Sequence, residues 1–238
     1  EIFPVLNAIF QRIYGSSPYK SPTDMGVNMA GFCIIDNAAA ERAANDEIIR
    51  RYYSALCALR QGLGEKSEVQ KIELIMSKLG LSREMRAPAA AALSKAEETG
   101  APAVAIELSD GRIITGKTST LLGASSAMLL NALKALAGID DSVCLISPTV
   151  IEPIQRLKIN HMGNHNPRLH TDEVLIALSV SAAADKTAAL ALEQLPKLCG
   201  TEVHSTVILS RVDENVFKKL GVNLTCEPQY QTKKLYHG

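Results

Sequence analysis

Ala103-Val-Ala-Ile-Glu-Leu-Ser-Asp-Gly-Arg-Ile-Ile-Thr-Gly-Lys-Thr118 is where the chain changes period. Before it, apolar residues recur at helical spacing; within it, they gather in two short runs on either side of Asp110-Gly111. Asp-Gly is the preferred centre of a two-residue hairpin turn, so the stretch reads as an antiparallel pair of strands. The same letters, from Gly111 to Thr118, match the phosphate-loop pattern G-x-x-x-x-G-K-[ST]. A phosphate loop must curl so that successive N–H groups face the phosphates. The intervening Arg112-Ile-Ile-Thr115 carries two isoleucines that prefer extended backbone, and Gly123 interrupts the helix that should follow. The hairpin reading is therefore the stronger one.

Working upstream, Ile2 to Tyr14 carries Ile2, Val5, Leu6, Ile9, Phe10 and Ile13 at helical spacing, with Gly15 as a stop. Asp36 or Asn37 can cap a helix reaching Gln61, with Gly62 and Gly64 ending it. Ser67-Glu-Val-Gln70 reads as a capping box for a second helix to Leu79, and Pro88 opens a third that ends near Gly100. A short strand is expected over 32–35. Downstream, a helix over 125–137 is followed by a short buried strand over 143–146, and Thr149-Val-Ile-Glu152 opens a helix to about Lys158. Thr171 caps the next helix, another covers 188–195, and strands at 203–209 and 222–226 flank a helix over 213–220. The expected class is α/β: a mostly helical region over 1–100 with a polar loop at 15–31, then an α/β domain over 101–238 with a mixed sheet, an antiparallel hairpin and flanking helices.

The length suffices for one large or two small domains. The chain has 238 residues, no tryptophan and 4% aromatic residues, so its core must come from Ala, Leu, Ile and Val. Lys+Arg and Asp+Glu both number 25. Zero net charge argues against nucleic-acid and membrane-surface partners, which require a basic excess, but leaves room for a local anion pocket. Five scattered cysteines with no C-x-x-C pair read as buried small hydrophobes in a reducing cytoplasm. The absence of an initiator Met before Glu1 reads as a piece of something longer.

Two polar stretches carry the candidate chemistry. The first, Asn160 to Glu173, holds three of the five histidines. His161, His165 and His170 have spacings that could hold zinc on a helix, but Gly163, Asn164, Asn166 and Pro167 oppose a helix there, and no metal is assigned. A ligand-binding loop and a structural polar loop remain open. His165, Arg168 and His170 are the candidate catalytic residues, suited to gripping an anion or moving a proton, with His161, Asn164 and Asn166 as ligand contacts. The second stretch, 17–31, offers Tyr19, Lys20, Thr23, Asp24 and Asn28 as further ligand contacts; a linker is the alternative. Thr118-Ser-Thr120 and Gly123-Ala-Ser-Ser126 lead into a helix start that could hold a phosphate or carboxylate, simple capping being the alternative. Cys226-Glu227 ends the last strand, where a buried unreactive thiol is the simpler account of Cys226. No G-x-S-x-G, H-E-x-x-H or C-x-x-C motif supports serine hydrolase, zincin or dithiol chemistry.

Ser17-Pro-Tyr-Lys-Ser-Pro-Thr-Asp-Met-Gly-Val-Asn-Met-Ala-Gly31, His161 to Glu173 and Cys226-Glu-Pro228 together resemble an uncharacterised bacterial family, domain-of-unknown-function family 1846. That resemblance implies a cytoplasmic protein about twice this length, of which this chain is the C-terminal half. It further implies that the family's N-terminal half, with its glycine-rich phosphate-loop-like segment, is missing. It implies no known reaction, and it leaves any cofactor unknown. The order of elements over 82–148 is also similar to the cytidine deaminase fold, but Ala124-Ser-Ser-Ala127 and Ser147-Pro-Thr-Val150 stand where that family's zinc ligands would be. The expectation is an enzyme part that binds a small anionic ligand or nucleotide through loops 17–31 and 161–173. The alternative is a non-catalytic module for homo-oligomerisation or partner binding.

Overall fold

The computed structural model describes residues 2–16 and 36–231. Helix α1 (Ile2–Tyr14) is followed by α2 (Asn37–Gln61), α3 (Lys66–Leu79) and α4 (Ala87–Thr99). The sheet strands β1 (Ala103–Glu107) and β2 (Ile113–Lys117) come next, then α5 (Ala124–Ala137), α6 (Pro148–Asn160), α7 (Thr171–Ala182) and α8 (Lys186–Leu192). β3 (Glu202–Ser205), α9 (Arg211–Lys219) and β4 (Asn223–Cys226) complete the described chain. The α/β class and the antiparallel hairpin are as the sequence implies. The strands lie in the order β2-β1-β3-β4, with β1 antiparallel to both neighbours and β3 parallel to β4. The strand expected over 32–35 lies outside the described residues.

Glycines end the helices where expected: Gly62, Gly80, Gly100 and Gly138 each take the left-handed C-terminal position. Asp36 caps α2 by accepting from the Ala39 N–H at 2.8 Å. The two expected capping boxes are not formed. α3 starts at Lys66 behind Glu65, and α6 starts at Pro148 behind Ser147, whose hydroxyl accepts from the Thr149 N–H. Helix α8 ends at Leu192 and a 3-10 turn covers Leu195–Leu198. Residues 143–146 form no strand: Leu145 and Ile146 are buried, but among the described residues no neighbour pairs with their backbone. Apolar content alone cannot distinguish a strand from a buried irregular segment. The cysteine expectation also needs correction, because Cys144 and Cys199 are exposed; only Cys226 is fully buried among the described residues.

The hairpin turn differs from the two-residue form. Gly111 N–H donates to the Leu108 carbonyl and Leu108 N–H to the Arg112 carbonyl, both at 2.9 Å. Ser109, Asp110 and Gly111 thus form a three-residue loop with Gly111 alone at positive φ, 81°. The second glycine of the phosphate-loop look-alike has a packing role. Gly116 sits on β2 opposite Val104, and a Cβ there would lie 2.0 Å from the backbone nitrogen of Met128 in α5.

The main core lies between one face of the sheet and α5, α7 and α8, built on Val104, Ile106, Met128, Leu129, Leu133, Leu169, Val174, Leu178 and Val203. On the other face, α2 and α4 cover the sheet, and a smaller cluster joins Ile49 and Tyr53 to Met76 of α3. Among the described residues, no helix is long and apolar enough to cross a membrane.

Candidate functional site

β2, β3 and β4 run in one direction, so their carboxyl ends share an edge of the sheet: Lys117 pairs with Ala103, and Ser205 lies between Val104 and Cys226. The chain leaves β2 for α5 and β3 for α9, so both helices begin at that edge. Crevices outside strand carboxyl ends are where α/β sheets usually hold ligands.

The end of the 160–173 stretch is pinned here. Leu169 bridges to Leu122, donating its N–H to the Leu121 carbonyl at 3.0 Å. Its carbonyl accepts from the Gly123 N–H at 3.2 Å and from Ser126 Oγ at 2.9 Å. Arg168 Nε donates to the Ser119 carbonyl at 2.6 Å, which lays the guanidinium against the loop before α5. Lys158, fully buried, donates to the Arg168 carbonyl and to Glu173 Oε2, both at 2.7 Å. The same Glu173 oxygen accepts from the His170 N–H at 2.8 Å and so caps α7.

His170 then turns its ring to Asp213, with Nδ1 3.1 Å from Oδ2. Asp213 is 7% exposed. Its Oδ1 accepts from the Thr171 N–H at 3.0 Å and Thr171 Oγ1 at 2.9 Å; its Oδ2 accepts from Ser210 Oγ at 2.8 Å. Ser210 in turn caps α9 by accepting from the Asp213 N–H. The hydrogen bond to Asp213 raises the His170 pKa above its ordinary value, against the opposing effect of burial. Burial alone would raise Asp213, but the hydrogen bonds from His170, Thr171 and Ser210 outweigh it and hold the carboxyl below its ordinary value. With Nδ1–H donating to Asp213, as the network assigns it, Nε2 is the nitrogen left for solvent or ligand. The side chain is 30% exposed.

Ser, His and Asp meet here, but not as a nucleophilic triad. In a triad the serine and the carboxylate take opposite ring nitrogens. Here Ser210 Oγ lies 3.5 Å from the same Nδ1 that faces Asp213, and its proton goes to the carboxylate. The arrangement suits a proton-transferring His–Asp pair instead.

Of the residues singled out from sequence, the structure gathers His170 and Arg168 at this edge. Asn166 stays close by through Oδ1, which accepts from the Arg168 N–H at 3.1 Å. His161, Asn164 and His165 are exposed in an irregular segment, so His165 is not brought to His170's partners. Among the described residues, no three His, Cys, Asp or Glu side chains gather as a metal group. Tyr19, Lys20, Thr23, Asp24 and Asn28 lie outside the described residues. Nothing in the sequence marks Asp213 and Ser210 as site residues: Ser210-Arg-Val-Asp213 is legible as a helix start, but nothing local ties it to His170.

A second polar network lies on the other face. His204, fully buried, packs its ring 4.9 Å from that of Tyr53, and its Nδ1 lies 2.8 Å from Thr225 Oγ1. Its Nε2 is 3.4 Å from Glu227 Oε1 but not aligned into a hydrogen bond. Burial pushes His204 below its ordinary pKa, against the raising effect of Glu227. Burial likewise raises the Cys226 thiol and pushes Cys57 up to about 12, which makes both inert.

Comparison with known proteins places the chain. Residues 84–236 match the family described as Domain of unknown function DUF1846, C-terminal, and residues 1–80 match its N-terminal counterpart. The expectation that the family's N-terminal part is missing, leaving a C-terminal half alone, is thereby corrected. A UPF0371 protein of Corynebacterium glutamicum (strain R) is 58% identical over 236 residues, covering 99% of this chain and 48% of the relative. Similar proteins of Corynebacterium urealyticum and Streptococcus pyogenes serotype M1 are 56% and 52% identical with the same coverage. The chain thus spans about half the length of these curated relatives, 48% in each case. On the match of both its parts, the chain belongs to the DUF1846 family of bacterial proteins, whose function is unknown.

Proposed function

We propose that this chain binds a small anionic molecule at the carboxyl edge of the sheet and that the His170–Asp213 pair moves a proton on it. The observation that carries the reading is the treatment of one partly exposed imidazole. A carboxylate locked by three other donors holds its Nδ1, fixing ring and tautomer, while Nε2 is left over. Asp213 Oδ1 also takes the N–H of Thr171 at the start of α7, and Glu173 takes the His170 N–H; the contact of Oδ2 with the His170 ring is additional to both capping bonds. Arg168, anchored through Nε on Ser119, supplies fixed positive charge beside the same segment. Candidate ligands are phosphorylated metabolites, nucleotides and organic acids.

The test follows the His170 Hε1 resonance by NMR. In the wild-type chain it should titrate above the ordinary histidine value, and Asp213→Asn should bring it back down. At least one anion from a panel of sugar phosphates, nucleotides and organic acids should move it. If none does, or if the resonance titrates normally in the wild type, the reading fails.

The same shift predicts a pH-dependent stability. The folded pKa of His170 is raised, so its contribution is complete below the unfolded value of about 6.5 and is lost as pH rises through the folded value. The stability gap between wild type and His170→Gln, from urea unfolding, should be widest at acidic pH and shrink through neutral to alkaline pH. A gap independent of pH would refute the Asp213 contact.

A further inference from the structure

We infer that the first turn of α5 is a seat for a phosphate group, which deepens the reading above by naming the class of its anion. No side chain caps this helix, because its N-cap is Gly123. The first three N–H groups of a helix have no partner within it. Here those of Ala124, Ser125 and Ser126 find none elsewhere among the described residues, although the residues are 7%, 4% and 0% exposed. Donors buried this deeply cost free energy unless something accepts from them.

The hydroxyls nearby do not accept. Ser119 Oγ takes the N–H groups of Leu121 and Leu122 instead, and Ser126 Oγ donates to the Leu169 carbonyl. Ser125 Oγ has no hydrogen-bond partner among the described residues, though the residue is 96% buried by the same 4% exposure. The Cα–Cβ bonds of a helix lean toward its N-terminus, the end where the three free N–H groups point. Three N–H groups and one hydroxyl are four donors, which suits the several oxygens of a phosphate better than the two of a carboxylate. The helix dipole adds to them.

The seat lies beside the proton-transferring pair. The Leu169 carbonyl that holds Gly123 and Ser126 precedes His170 by one residue, and among the described residues the Arg168 Nη groups, on the adjoining loop, have no hydrogen-bond partner. A phosphate ester seated here would bring its remaining atoms toward the His170 segment. No phosphoryl transfer is implied: the phosphate is the handle.

The probe is inorganic phosphate, titrated into the ¹⁵N-labelled chain and, in parallel, by calorimetry. The amide resonances of Ala124, Ser125 and Ser126 should move together and saturate. Ser125→Ala, which removes one neutral donor, should weaken binding about three- to tenfold. Ser125→Asp, which brings its own carboxylate to the seat, should abolish binding. Amides that stay still in the wild type would overturn the inference, as would wild-type affinity in both variants. His170→Gln separates the two readings. Phosphate that still moves residues 124–126 in this variant supports the seat, whatever the His170 titration shows. Loss of those amide shifts from His170→Gln alone would overturn the seat as a phosphate site in its own right.

Discussion

Gly116→Ala is expected to cost about 4 kcal/mol or more, at the far end of the range for single substitutions and a large share of the total stability of a domain. The added methyl would stand 2.0 Å from the Met128 nitrogen, 2.5 Å from its Cα and 2.7 Å from the Ala127 carbonyl carbon. These are backbone atoms, so no rotamer change relieves the clash. Either α5 lifts from β2 or β2 leaves β1. The first opens the core at Met128, Leu129 and Leu133, each fully buried; the second breaks the pairing from Ala103–Lys117 to Glu107–Ile113. Gly111→Ala is the control. Gly111 holds φ at 81° in the hairpin loop with nothing within 4 Å of an added Cβ, so its cost is the left-handed strain alone, about 1–2 kcal/mol. Urea midpoints of the two variants should therefore differ widely. Equal midpoints would mean that α5 does not approach the sheet at Gly116.

Those two glycines also show what a sequence can disclose. Glycines at 62, 80, 100 and 138 announce helix ends because a left-handed residue is a local need, satisfied within a few positions. Gly111 is legible as a turn for the same reason, although the one-residue difference between a two-residue loop and a bulged three-residue loop is not. Gly116 is not legible at all: its constraint is a helix folded over it from Met128. The candidate site divides in the same way. His170 and Arg168 stand out because they crowd into one short polar stretch. What makes His170 special is Asp213, 43 residues away, and the pairing depends on α7 and α9 starting side by side. His165 has the same local credentials and remains exposed. Ser125 reads as an ordinary capping serine, and only the geometry of α5 reveals that Gly123 holds the cap position and the hydroxyl is unused.

Arg86→Met should destabilise the chain by about 3–5 kcal/mol, the usual cost of removing one partner from a buried charged network. Arg86 is 6% exposed and sits at the start of α4, beneath the far face of the sheet. Its Nε donates to Thr225 Oγ1 at 2.7 Å, its Nη2 to the carbonyls of Val203 and Asn223 at 2.9 Å each, and its Nη1 to Glu202. One guanidinium thereby joins β3 to β4 and both to α4. Glu202 extends the tie to α2 by accepting from Arg50 Nη1, and it also accepts from Asn223 Nδ2. Methionine fills much of the space but supplies no donor: the carbonyls of Val203 and Asn223 and the Thr225 hydroxyl each lose one hydrogen bond, although Thr225 Oγ1 keeps His204 Nδ1 at 2.8 Å and the Val203 carbonyl keeps Thr225 Oγ1 at 3.3 Å. Arg86→Lys is the sharper test. It keeps the charge, yet a single ammonium cannot reproduce the planar fork that reaches four groups at once, so most of the loss should remain. Glu202 keeps Arg50 and Asn223 in either variant, which separates the two halves of the network. Arg50→Met should cost clearly less than Arg86→Met, because Arg50 makes only one contact across to the sheet and its side chain is 20% exposed. If urea unfolding finds Arg86→Lys as stable as wild type, the network's worth is its charge alone and the fork geometry is irrelevant. If it finds Arg50→Met the costlier change, the tie runs chiefly through α2 rather than through the β3–β4 edge.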